Sequence, residues 1–256
     1  MFHFPMLWHR SRTQNANGRS RLTLPDDEFA AIYAISDIHG CCREFGEAER
    51  RIYEDGTSTP GRKLIVLLGD YIDRGPDSRS VLERLSSPVA HGYRRIMLAG
   101  NHDDEFARMY RHPAMLGEWI DFAGTETLAS YGIDVEQTVR MKGLRGLHRL
   151  VIEMVDEQHI ALIESFPVCL QIGKLLFVHA GVRPGVDLKR QTDTDLMWIR
   201  EPFLSDGPGL PIFVIHGHTP VLEPTFGRQR LAIDTAAAAT GALSILKIAN
   251  GEITFL

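Results

Sequence analysis

Five short apolar runs, each ending in Asp, Asn or His beside glycine, constrain this chain more than any other feature. They cover residues 30–35, 63–68, 94–99, 174–178 and 211–215. Their length and near-continuous apolar character predict strands buried on both faces. The segments just after them are equally regular: Ser36-Asp37-Ile38-His39-Gly40, Gly69-Asp70-Tyr71-Ile72-Asp73-Arg74-Gly75, Gly100-Asn101-His102-Asp103, His179-Ala180-Gly181 and His216-Gly217-His218-Thr219. Open α/β sheets bind ligands at the carboxyl ends of their strands, and glycine lets the backbone turn there tightly. One such segment alone is an ordinary turn or helix cap. Five at the same position in successive units make coincidence a poor explanation.

Helices are predicted between the runs, over 43–53, 78–85 and 156–165, the last stopping before Pro167. A longer stretch, 104–131, spaces Phe106, Met109, Tyr110, Trp119, Phe122 and Leu128 for a buried helical face. Pro113 and Gly117 should break it. The tail reads as strands over 230–233, 242–248 and 252–255, with a hairpin turn at Asn250-Gly251. Residues 30–256 are therefore expected to form one domain with a helical insert at about 104–165. Residues 1–29 lack hydrophobic periodicity and are expected to be a flexible extension, with Arg10, Arg12, Arg19 and Arg21 in a solvated arm.

Bulk properties exclude several classes. The chain has 256 residues, 44% hydrophobic and 24% charged, as in an ordinary globular protein. No apolar run approaches the roughly 20 residues that span a bilayer. The N-terminal apolar patch precedes its positive charges, the reverse of a secretory signal, so a cytoplasmic location is expected. Cys41, Cys42 and Cys169 make no disulfide framework. A net charge of −5 speaks against broad nucleic-acid binding.

The strand-end residues also point to a kind of ligand. Mixed Asp, His and Asn donors without cysteine suit manganese, iron, zinc or nickel with positions left open for water and substrate. A closed structural zinc site would use cysteine. There are more donors than one ion needs, so two ions sharing a carboxylate is the economical arrangement.

The ordered blocks Asp37-x-His39-Gly40, Gly69-Asp70-x-x-Asp73-Arg74-Gly75, Gly100-Asn101-His102, His179-Ala180-Gly181 and Gly217-His218-Thr219 resemble the calcineurin-like metallophosphoesterases. Within that family they are similar to the phosphoprotein phosphatase branch, especially its bacterial and phage members. Weaker likenesses lie at 124–132, 195–200 and 233–235. The resemblance implies a four-layer α/β/β/α sandwich of two mixed sheets, with a dimetal site at the strand ends. It implies that Asp37 and His39 bind one divalent ion, that Asp70 bridges two, and that Asn101, His179 and His218 complete the second. Manganese is the first expectation. His102 would be the general acid, oriented by Asp73, and Arg74 and Arg200 would grip phosphate oxygens. Arg183 matches less securely, and His216 matches no ligand position.

The activity so implied is hydrolysis of phosphomonoesters by in-line attack of a hydroxide bridging the metals. A phosphorylated Ser/Thr side chain of a protein, or else Tyr, is the expected substrate. The alternative is a small phosphorylated metabolite or a dinucleoside tetraphosphate cleaved symmetrically. A catalytically silent metal- or phosphoprotein-binding scaffold is the reading of another class, and the full set of proposed ligands opposes it. Three positions depart from the family pattern: Ser36 for a glycine, Asp103 for a glutamate, and Ala236 for the glycine usual after Thr235.

Overall fold

The structure, a computed structural model, describes residues 11–13 and 18–256. Its centre is two mixed sheets packed face to face with helices outside, the α/β/β/α order expected. In chain order the strands are β1 (Ser11–Thr13), β2 (Arg21–Leu24), β3 (Ala31–Ile35), β4 (Lys63–Leu67), β5 (Tyr93–Met97), β6 (Cys169–Ile172), β7 (Leu175–Val178), β8 (Phe213–His216), β9 (Thr225–Gly227), β10 (Arg230–Ala232), β11 (Ile245–Ala249) and β12 (Glu252–Phe255). One sheet runs β12-β11-β3-β4-β5 and the other β1-β2-β6-β7-β8-β10-β9. All five predicted runs became strands: β3, β4 and β5 lie parallel in the first sheet, and β7 and β8 parallel in the second.

Alternation along β3 and β4 explains why these two runs are almost continuously apolar; β5, at the sheet edge with Arg94 and Arg95, buries only Ile96, so the expected burial on both faces does not hold there. Ile32, Ala34, Leu64 and Val66 meet Leu170, Phe177 and Ile215 between the sheets. Tyr33, Ile35, Ile65 and Leu67 face the helices α1 (Cys42–Gly56) and α2 (Ser78–Ser86), where Phe45, Ile52, Val81 and Leu82 cover them. Each Val, Leu, Ile or Phe among these, withdrawn from water, contributes roughly 1.5–3 kcal/mol.

The helical insert is α3 (Asn101–Arg111), α4 (Leu116–Trp119), α5 (Thr125–Ser130), α6 (Val135–Met154) and α7 (Glu157–Glu164). Pro113 ends the α3 segment as expected. At Gly117 the helix instead runs on, and the chain loosens later, into a π-turn at Ile120–Gly124. After β7 comes α8 (Asp193–Trp198), on the outer side of the second sheet. Among the described residues no helix is long and apolar enough to cross a membrane.

The expectation of a solvated arm needs correction at Arg19 and Arg21. β2 pairs with β6 in parallel register, and the Arg19 guanidinium meets Asp104 at 2.8 Å. Arg21 is buried against Asp193 at 2.8 Å. Their neutralising carboxylates lie some 85 to 172 residues away, so local composition gave no sign of them. Arg10 lies outside the described residues, and for Arg12 only the backbone is described.

Candidate metal centre

All five strand ends open onto one buried cluster. Asp37, His39, Asp70, Asp73, Asn101, His102, His179 and His218 are each less than a tenth exposed. Asp70 occupies the middle. Its Oδ2 lies 3.6 Å from His39 Nε2, 3.9 Å from His102 Nε2 and 3.3 Å from His179 Nε2. Two trios converge on it, His39–Asp70–His102 and Asp70–His179–His218, with donor atoms within 4.8 Å of one another. His179 Nε2 also lies 2.9 Å from Asn101 Oδ1. Asp37 joins through the backbone, accepting the His218 amide at 3.1 Å.

The loops reach this convergence by unusual backbone. His39, Asp70, Asp73, Arg74 and His218 all have φ between 45° and 69°. Each such non-glycine residue costs on the order of 1 kcal/mol and persists only where its surroundings impose it. For Asp70 the imposition is visible: Asp103 at the start of α3 accepts the amides of Asp70, Tyr71 and Gly100 at 2.8, 3.0 and 2.9 Å. Asp103 thus staples two strand-end loops together, a role its place in the sequence did not disclose. Glycine is needed alongside for clearance. A Cβ on Gly100 would lie 2.1 Å from Asp70 Oδ1, and one on Gly217 2.1 Å from Asp37 Oδ1.

The imidazoles are oriented from behind. His39 Nδ1 donates to the Ile72 carbonyl at 2.7 Å, which leaves the Nε2 lone pair aimed at the cluster. His179 Nδ1 donates to the Leu68 carbonyl at 3.0 Å. His39 Nε2 and His218 Nε2 are buried with no hydrogen-bond partner among the described residues. Burial, more than neighbouring charge, pushes both rings down to about 3, so they are neutral. Burial would also depress His179, but Asp70 and Asp37 outweigh it and raise the ring to about 9. Burial, and next the Asp234 carboxylate, push Asp37 up to about 8. Burial opposes the charge on Asp70 too, yet His179, His102 and His39 hold it well below the usual carboxylate range.

Neutral imidazoles with orphaned nitrogens, set among close-packed buried carboxylates, form a donor set that fits divalent cations. A cation there would displace the protons on Asp37 and His179.

His102 is held differently. Its Nδ1 meets Asp73 Oδ2 at 2.8 Å, and its Nε2 faces Arg74 Nη2 at 3.1 Å. Arginine can only donate, so Nε2 accepts and the ring proton sits on Nδ1 toward Asp73. Burial disfavours charging this ring, but Asp70 and Asp73 prevail and its pKa is raised. Asp73 is latched in turn by the insert: Thr127 of α5 donates to its Oδ1 at 2.5 Å and accepts its amide at 2.9 Å. The weak likeness at 124–132 was the only sequence signal for Thr127.

Around the rim, Arg74 and Arg200 are exposed and pair with no carboxylate among the described residues. Arg200 is close enough to His218 to disfavour its charged form. Arg183 is committed elsewhere, to Asp195 at 2.7 Å. His216 ends β8 as a buried neutral ring, its Nδ1 3.0 Å from the Gly217 carbonyl and Nε2 3.4 Å from Arg230. Ala236 takes φ 55°, ψ 52°, the conformation glycine adopts most cheaply, and Asp234 Oδ1 holds its amide at 2.8 Å. The thiols are free, and burial pushes Cys41 up to about 11 and Cys169 to about 12, where they stay unreactive at neutral pH.

Comparison with known proteins agrees with this geometry. The sequence pattern of the calcineurin-like phosphoesterases matches residues 30–239. An asymmetrical bis(5'-nucleosyl)-tetraphosphatase, PrpE, of Bacillus thuringiensis (strain Al Hakam) is 27% identical over 239 residues, 85% of this chain and 90% of its own. A solved candidate diadenosine tetraphosphatase superposes with TM-score 0.62 at 19% identity, covering 93% of this chain and 97% of that one. The cold-active protein-tyrosine phosphatase of a psychrophilic Shewanella superposes with TM-score 0.58 at 16% identity, covering 91% and 78%.

Proposed function

The chain belongs to the calcineurin-like phosphoesterases, and from that premise we propose that it hydrolyses dinucleoside polyphosphates at a two-metal centre. The observation that carries the reading is the convergence of five strand ends on Asp70, with two orphaned imidazole nitrogens beside it. Asp37 and His39 would hold one ion, Asn101, His179 and His218 the other, and Asp70 both. When bound, such a pair supplies Lewis acidity to phosphoryl oxygens and lowers the pKa of a water.

The chain's own residues do the rest. Arg74 and Arg200 offer planar forks to phosphate oxygens, and among the described residues neither is tied up in an ion pair with a carboxylate, although Arg74 lies near enough to Asp234 to favour its charged form. Arg74 donates to His102 Nε2. Moving that guanidinium onto a phosphate would free Nε2 to carry the proton a departing oxygen needs. Asp73 favours the charged ring and fixes its direction, as Thr127 fixes Asp73.

The choice of substrate rests on the relatives. The protein matched over 85% of this chain is named for cleaving bis(5'-nucleosyl) tetraphosphates asymmetrically. Two such arginines also suit an ester bearing several phosphates. This places the dinucleotide ahead of the phosphoprotein, reversing the order suggested by motif resemblance, and makes asymmetrical cleavage the first expectation. The phosphoprotein reading keeps only a likeness of fold.

The test is product analysis with metal-stripped protein re-supplied with Mn²⁺. Diadenosine tetraphosphate should yield ATP and AMP, faster than phosphate leaves a panel of phosphoserine, phosphothreonine and phosphotyrosine peptides. Two ADP would make the cut symmetrical, and turnover of the peptides alone would reject the substrate.

A further inference from the structure

Two aromatic rings at the rim have no part in metal binding or proton transfer. Phe122, in the π-turn of the insert, stacks on His102 with centroids 4.4 Å apart and planes 21° from parallel. Trp198, at the end of α8, lies 5.8 Å from Phe122 and 6.3 Å from His218. Phe122 is 42% exposed although it sits beside a buried catalytic cluster. The two rings come from segments 76 positions apart, one from the insert and one from α8. Together they bridge the proposed acid and a proposed metal ligand.

Packing alone gives no reason for a large apolar ring to stay wet there. Phe106 and Trp119 stack nearby and are both buried, so the insert's own core is complete without Phe122. The rings touch each other at 39°, leaving no slot between them for a third. Phe122 and, in part, Trp198 remain exposed beside the proposed phosphate site, two residues from the exposed Arg200, while Trp198 also packs against the core.

We propose that Phe122 and Trp198 form a platform on which one nucleobase of the substrate stacks, selecting nucleoside polyphosphates over polyphosphates that lack a base. The inference rests on the proposed dinucleotide activity and names residues that would enforce it. Any base offers a π-face, so such a platform recognises the nucleoside class and tolerates different bases. Base–aromatic stacking contributes about 1–3 kcal/mol per base, equivalent to roughly 5- to 150-fold in affinity. Phosphate contacts would position the chain, and the platform would decide which esters remain long enough to be cut.

The experiment compares kcat/KM for diadenosine tetraphosphate with that for inorganic tetrapolyphosphate, in the wild-type Mn²⁺ enzyme and in Phe122→Leu and Trp198→Leu. Leucine keeps apolar bulk and removes the π-face. The ratio of the two values should fall about tenfold in either variant, mainly through KM of the dinucleotide. An unchanged ratio in both variants overturns the platform, whatever happens to absolute rates. AMP binding by equilibrium dialysis supplies a readout independent of turnover: it should weaken about tenfold in the variants while phosphate binding holds, and equal weakening of both would also overturn the inference. If the wild type cleaves peptides and not the dinucleotide, it is the substrate reading that fails. A wild type that cleaves the dinucleotide with variants of unchanged ratio isolates the failure to the platform.

Discussion

The cluster at the strand ends and the rim around it are built in opposite ways. In the cluster every proposed ligand is buried, and backbone groups fix four of the six: His39 by the Ile72 carbonyl, His179 by the Leu68 carbonyl, Asp37 by the His218 amide and Asp70 by the His102 amide, while the Asp103 carboxylate holds the Asp70 loop. The left-handed turns at His39, Asp70 and His218 leave little room for another residue or another direction. At the rim Arg74, Arg200 and Phe122 are exposed, and the insert that supplies Phe122 departs from α-helical geometry just there. Rigid placement suits charge stabilisation, which fails if donors move. A looser rim can change its substrate without disturbing the centre, so one chemistry can serve several esters.

The largest effect should come from the middle of the cluster. Asp70→Asn removes the charge that three imidazoles share, and should lower kcat/KM about a thousandfold, or about 4 kcal/mol of barrier. Metal content per chain after dialysis should fall with it; full metal retention with normal turnover would show that the centre is not organised around Asp70.

Thr127→Val probes a contact that ties rim to centre. It removes a hydrogen bond to the buried Asp73 carboxylate, so stability in urea should drop by about 1–3 kcal/mol. Turnover should fall about tenfold as His102 loses its bearing. A variant less stable but equally active would mean that the insert only covers the centre.

The smallest effect separates the two regions by pH. Without cations, Asp37 at about 8 and Asp103 at about 7 keep protons that the unfolded chain releases near 3.8. Both folded values are raised, so the stability they contribute is complete below pH 3.8 and is lost as pH rises to 7 and 8. His179, raised to about 9, extends the loss upward. Asp70 acts in the opposite sense, its contribution present above 3.8 and lost in acid. Chelator-treated protein should therefore melt roughly 5 °C lower at about pH 8 than at about pH 5.5, and Mn²⁺ should cancel most of the difference. A stripped protein that melts higher at the more alkaline pH contradicts this account.

Much of this was legible along the chain. The five predicted runs became β3, β4, β5, β7 and β8 within two residues of their expected bounds. In β3 and β4 this follows because a strand buried on both faces needs apolar residues nearly throughout, whereas β5 lies at the sheet edge and buries only Ile96. β1, β2, β6 and β9 were not foreseen. They are short, and in β2 and β6 the partly exposed Leu22 and Gln171 interrupt the pattern. The 20-residue α6 was not foreseen either, since Gly143 and Gly146 break its run and Met141 and Leu144 stay exposed.

By itself, the sequence determined which residues could do chemistry and that they would gather, because chain order places each Asp, Asn or His at a strand's carboxyl end and parallel strands bring those ends to one edge. Only the tertiary structure decided how they are held and what stands around them. Asp103 gripping the Asp70 loop, Thr127 latching Asp73, Arg183 turned away to Asp195, and Phe122 laid across His102 are contacts between segments 12 to 54 residues apart. Their partners are chosen by the packing of sheets and insert, a three-dimensional outcome that no local pattern encodes.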